Sequence, residues 1–205
     1  MDWVALQNTA KAKGELVFAM RQGQTAPITE PGPWGLTQGG YCLGLAATWI
    51  SLNYRGKNFP IDGAKVCDHP PWQATVGQNL AIDTNAASWQ DYWKVAAAQW
   101  QMTLSKGLVA RWNTMLTGAL VHAIASKAYG CYGITVTGTG GAHAIAVRHA
   151  RDNKMHFFDA NYGHFVVSDH NRLKSFLDWY WKATGYDAAF LESSIAIVGV
   201  RPPIK

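Results

Sequence analysis

Cys42 stands inside Gly-Leu-Thr-Gln-Gly-Gly-Tyr-Cys-Leu-Gly-Leu-Ala-Ala-Thr-Trp, residues 35–49. Gly39 and Gly40 deliver the thiol to the start of a stretch whose apolar residues recur at three- and four-residue steps. A sulfur at a helix N-terminus feels the positive end of the helix dipole and unpaired backbone N–H groups. Both favour thiolate over thiol, which is the state a nucleophile needs. A lone cysteine is more often a small core residue, and Cys131, in Gly-Cys-Tyr-Gly on an apolar run, reads that way. Cys42 reads as the nucleophile instead, because suitable partners follow it in the chain.

A nucleophilic thiol needs a base to take its proton, and the base needs a partner that orients its second nitrogen. Of seven histidines, His143 follows Gly140-Gly141-Ala142 and opens the apolar run Ala144–Val147, which places it at the rim of a sheet. His122 lies in an apolar stretch and reads as a core residue. His149, His156, His164 and His170 show no companion pattern. Sixteen residues after His143, the run Phe-Phe-Asp-Ala-Asn-Tyr-Gly supplies Asp159 at the end of an aromatic strand. If strands 143–150 and 155–160 pair through the short turn between them, the start of one lies beside the end of the other. His143 and Asp159 then become neighbours. The bland alternative makes Asp159 and Asn161 turn formers ahead of Gly163. For a developing oxyanion, the backbone N–H of Cys42 is one candidate donor, and the side chain of Gln38 or Thr37 is another.

Other chemistries find little support. Cys67-Asp68-His69 lacks the third and fourth ligands of a zinc site. Neither a GxSxG, a P-loop nor an HExxH occurs, and Gly138–Gly141 is too short for a dinucleotide loop. No cofactor or metal is expected.

These residues must be carried by a folded frame. At 205 residues, 48% of them hydrophobic and 15% charged, the chain is long enough for one domain with a real core and too apolar to be disordered. The apolar spacing predicts a buried helix over 43–53, closed by Gly56 and Pro60. A Pro/Gly-rich lead-in (26–35) precedes it, and residues 1–24 have mixed helical character. Residues 57–87 read as loop with short helix, facing substrate. Ser88 reads as the N-cap of a helix through Trp100, and a further helix is expected over 109–127. Strands are expected over 129–137, 143–150, 155–160, 164–168 and 194–200, with a helix over 169–182. Helices first and antiparallel strands afterwards define an α+β domain spanning 35–205, behind an N-terminal segment of residues 1–34.

Ten tryptophans suit a large core with some left to line a groove for polypeptide. Three cysteines without CxxC spacing argue against a disulfide framework and for a reducing compartment. The net charge of +5 is scattered, so nucleic acid is not expected as a partner. Neither a signal peptide nor an integral membrane segment is expected.

Taken in order, Gly-Gly-Tyr-Cys-Leu-Gly-Leu-Ala-Ala-Thr-Trp, Gly-Ala-His-Ala and Phe-Phe-Asp-Ala-Asn-Tyr-Gly-His-Phe resemble the YopT/AvrPphB group of papain-like cysteine proteases. The resemblance spans about residues 35–170. It implies a papain-like fold in which a helix bearing Cys42 packs on an antiparallel sheet bearing His143 and Asp159. Cys42 would be the nucleophile, His143 the general base and acid, and Asp159 its orienter. The residue after Asp159 is Ala160, where many relatives carry proline. The resemblance also implies a bacterial effector secreted by a contact-dependent system without a cleavable signal. Such an effector acts as a monomer on protein substrates in the target-cell cytoplasm, with a chaperone or immunity protein as a candidate partner. The same triad could serve a deamidase, transglutaminase or acyltransferase, since all pass through a thioester. A non-catalytic binding module on a degenerate protease scaffold is the third reading.

Overall fold

The computed structural model describes residues 3–22, 41–59, 74, 77–78, 80–81, 88–113, 128–138, 141–190 and 194–203. Its centre is a seven-stranded antiparallel sheet in the order β1-β6-β5-β4-β3-β7-β2. The strands are β1 (Leu16–Ala19), β2 (Thr103–Asn113), β3 (Gly130–Gly138), β4 (Gly141–His149), β5 (Met155–Asp159), β6 (Gly163–Val167) and β7 (Ser194–Arg201). Helices α1 (Trp3–Ala12), α2 (Cys42–Tyr54), α3 (Trp89–Ala98), α4 (His170–Thr184) and the short α5 (Tyr186–Ala189) complete the described elements.

Both faces of the sheet are covered, which explains why β4 and β7 read as almost unbroken apolar runs. On one face Ile134, Val136, Ile145, Val147 and Phe157 pack under α4 residues Leu173, Phe176 and Tyr180, with Leu6 of α1 alongside. On the other, Ala144, Ala146, Phe158 and Val198 receive Trp49 of α2 and Trp93 of α3. Small residues on this second face make room for indole rings. A Cβ on Gly133 would lie 2.6 Å from ring carbons of Trp93, and the Trp93 Nε1–H donates to Thr135 Oγ1 at 2.8 Å.

The helix expected over 43–53 is α2, buried on nearly every side, and it ends at Gly56 in the left-handed region (φ +63°). Ser88 caps α3, accepting from Asp91 N–H, and Asp169 caps α4 by accepting from Arg172 N–H. The expected strands of the second half all form, within a residue or two of their predicted ends.

Two readings need correction. The helix expected over 109–127 is replaced, as far as Asn113, by β2. There Val109 faces Val198 and Asn113 faces Ser194 across the ladder. A short apolar stretch carries either period, and pairing with a strand more than eighty residues away decided it. Residues 114–127 lie outside the described residues. The N-terminal segment is more than mixed helix: α1 is followed by β1, which pairs with β6 (Phe18 opposite His164) at the edge of the sheet.

Candidate active site

Cys42 is the first residue of α2. Tyr41, at the N-cap, makes no side-chain capping bond, so the first-turn amides need partners from elsewhere. Gly44 N–H finds one in the buried Gln78 side chain, to which it donates at 2.8 Å, while Leu45 N–H makes the helix's own first bond, to Tyr41 O at 2.9 Å. Gly44 cannot carry a side chain, because a Cβ would lie 1.9 Å from the carbonyl oxygen of Ala74.

His143 is the third residue of β4, not the first, and Gly141 ahead of it holds φ +101°, a conformation that favours glycine. Asp159 closes β5 opposite Ile145, two residues beyond His143 on the same face of β4. Antiparallel pairing of β4 and β5 therefore makes His143 and Asp159 neighbours, as expected, with a diagonal offset. His143 Nε2 lies 2.9 Å from Asp159 Oδ1, and the two side chains are 6% and 0% exposed.

A carboxylate removed fully from water loses several kcal/mol of hydration, and hydrogen bonds to a charged group return about 1.5–3 kcal/mol each. Asp159 collects three such bonds. Besides His143, its Oδ1 accepts from Asn161 N–H at 2.7 Å, and its Oδ2 accepts from the Tyr180 hydroxyl at 2.8 Å.

The thiol approaches from the other face of the sheet. Cys42 Sγ accepts from Ala144 N–H at 3.4 Å, at the residue next to His143. Burial pushes the thiol up, but the hydrogen bond and charge of His143, aided by the Ala144 N–H, outweigh it and hold Cys42 below the ordinary thiol value. Burial alone would lower His143. The charge and hydrogen bond of Asp159, together with Cys42, instead raise it to about 10. Nε2 is committed to Asp159, which leaves Nδ1 for the sulfur. Thiol, imidazole and carboxylate are thus gathered at one end of α2, the thiol held below its ordinary value and the imidazole above.

Gln38, the expected side-chain donor for an oxyanion, lies outside the described residues, as do Thr37, Cys67 and His122. Cys131 is buried, as expected of a core residue, and burial pushes its thiol up to about 12. Two histidines set aside in the sequence do have partners: His156 Nδ1 and His164 Nε2 are 3.0 Å apart. Among the described residues no group of three or more His, Cys, Asp or Glu could hold a metal. Sequence reasoning missed Tyr180, Gln78 and Tyr186, whose ring lies 5.4 Å from that of His143. Tyr180 carried one usable signal, its place on the apolar stripe of the helix expected to close over the sheet. Nothing in the sequence aimed its hydroxyl at Asp159.

The Pseudomonas avirulence protein AvrPphB is similar in structure, with TM-score 0.57 and 16% identity over 78% of this chain and 91% of that one. So is the ubiquitin-specific protease encoded by a murine cytomegalovirus tegument protein, solved with a ubiquitin-based suicide substrate. It gives TM-score 0.51 and 16% identity over 90% of this chain and 85% of that one. At such identity these likenesses establish the papain-like fold. No curated protein sequence matches the chain. The family described as Yersinia/Haemophilus virulence surface antigen (Peptidase_C58) matches residues 84–193, just over half of the chain and inclusive of His143 and Asp159. The chain belongs to that peptidase family and is a papain-like cysteine protease.

Proposed function

We propose that Cys42, His143 and Asp159 form the catalytic triad of an endopeptidase that cuts specific proteins inside a target cell. The observation that carries the reading is geometric: His143 Nε2 lies 2.9 Å from the buried Asp159 carboxylate, and the next residue, Ala144, donates its N–H to Cys42 Sγ at 3.4 Å. The Cys42 thiolate attacks the scissile carbonyl carbon. Negative charge moves onto the carbonyl oxygen, where the Cys42 N–H and Gln38 are the proposed donors. Collapse of the adduct breaks the C–N bond, and His143 hands its proton to the departing amine, leaving a thioester. Water then gives its proton to His143 and attacks the thioester, and the returning proton releases the thiol. Asp159 keeps the ring oriented and its charge balanced throughout.

A virulence role is supported by the family description and by the avirulence protein of similar fold. We assign the enzyme accordingly to the secreted effectors, delivered by a contact-dependent system and acting as a monomer. Among the described residues no helix is long and apolar enough to cross a membrane.

The test treats host-cell lysates with the wild type and with Cys42→Ala, and profiles new protein N-termini. Discrete cuts with the wild type alone are expected. No cuts, with a mass gain of about 1 Da on a target, would transfer the reading to deamidation through the same thioester. A Cys42 inert to iodoacetamide near neutral pH would leave only the binding-module reading.

A further inference from the structure

The nucleophile and its partners arrive on different elements, α2 on one side and β4–β5 on the other, so something must fix their separation. One buried side chain from the N-terminal segment touches both. Gln22 follows β1 and is 5% exposed. Its backbone N–H donates to Ala160 O at 2.8 Å, and Met20 N–H donates to Tyr162 O at 3.2 Å, so this segment grips the β5–β6 turn on either side of Asn161. The Gln22 side chain then spans the gap. Its Nε2 donates to Asn161 Oδ1 at 2.6 Å, and its Oε1 accepts from the backbone N–H of Tyr41 at 3.0 Å, one residue before Cys42.

The direction of these bonds is fixed by chemistry. A backbone N–H can only donate, so Oε1 of Gln22 must face Tyr41 and Nε2 must face Asn161. The atom Asn161 presents is then Oδ1, and its Nδ2 donates to the Tyr186 hydroxyl at 2.7 Å, beside the His143 ring. Asn161 also donates its own N–H to Asp159 Oδ1, and its carbonyl accepts from Trp3 Nε1–H at 3.1 Å. Each polar group of Asn161 is thereby engaged. The sulfur's own contact with β4, 3.4 Å from Ala144 N, is soft by comparison.

We propose that Gln22 is a positioning residue of the active site: by bonding the residue before Cys42 to the turn that carries Asp159, it sets the spacing of thiol and imidazole. The proposal rests on the triad reading above. It gives the N-terminal segment a role in the chemistry, although Gln22 lies well outside the stretch matched by the family. A misplacement of about 1 Å between reacting groups can cost a hundredfold in rate, so one polar clamp at this seam matters.

The test is alkylation of the full chain by iodoacetamide, with the label located at Cys42 by peptide mass. The readout is the ratio of rates at about pH 6, where only a paired thiolate reacts, and about pH 10, where thiolate forms unaided. Gln22→Met keeps the volume but makes neither bond, and is expected to lower that ratio about tenfold. Gln22→Ser admits water to Tyr41 N–H and Asn161 Oδ1 while releasing the clamp. It should show the same loss even if Gln22→Met fails to unfold cooperatively. A merely structural role would lower the thermal midpoint and leave the ratio alone. A wild-type ratio in either folded variant overturns the proposal, while loss of the ratio in His143→Ala shows that the triad reading stands. A wild-type ratio in His143→Ala removes the triad reading, and this proposal with it.

Discussion

At the scale of single residues, the proposed triad turns on two effects of opposite sign that meet on the same imidazole. Burial opposes charge on His143, and Asp159 reverses that, lifting the ring to about 10 while the ring in turn draws Cys42 down. Activity should rise with pH as Cys42 ionises, below the range of an ordinary thiol, and fall as His143 loses its proton near pH 10. Asp159→Asn removes the charge that raises the ring, so the alkaline limb should move to lower pH and turnover should drop on the order of a hundredfold. A pH–rate profile of both enzymes checks this, and an unmoved alkaline limb would contradict the assigned role of Asp159. Cys42, His143 and Asp159 were legible as candidates because thiol, imidazole and carboxylate each stood in a revealing local context. Tyr180 and Gln22 were not, since a tyrosine on a helix and a glutamine after a strand look ordinary until their partners are in place.

At the scale of elements, the hairpin β5–β6 carries more than Asp159. His156 and His164 face each other beneath α2, and His164 packs edge-on against Trp49 at 5.2 Å. Burial pushes both down, with Arg148 adding to the effect, to about 4 for His156 and about 3 for His164. Below about pH 6.5 the unfolded chain therefore binds protons that the folded one refuses. Stability from this pair is complete above that pH and drains away as pH falls toward the folded values. The thermal midpoint of the wild type should drop between pH 7 and pH 5. In His164→Gln, which removes one titrating ring, the drop should be smaller. An equal drop in both proteins would show that acid lability arises elsewhere. The sequence offered no hint of the pair, because eight residues along the chain become neighbours only across a β-ladder.

At the scale of the whole molecule, the N-terminal segment is built into the body. β1 covers the edge of β6, Leu6 and Ala10 enter the core under the sheet, and Arg172 of α4 pairs with the buried carboxylate of Glu15. Removing residues 1–22 would open a strand edge and expose apolar surface at once. Cooperative thermal unfolding should be lost in that truncation, and a sharp transition at the wild-type temperature would show the segment to be dispensable. What the sequence determined alone was whatever is local: the buried helix that begins at Cys42, the strands of the second half, their turns and caps, and the adjacency of His143 to Asp159 through one short hairpin. What only the tertiary structure decided was long-range. It turned 103–113 into a strand by pairing it with β7, closed helices over both faces of the sheet, and brought Tyr180 to Asp159 and Gln22 between Tyr41 and Asn161. The physical reason is that an apolar run or a lone amide has several satisfactory partners, and the chain's global packing chooses among them.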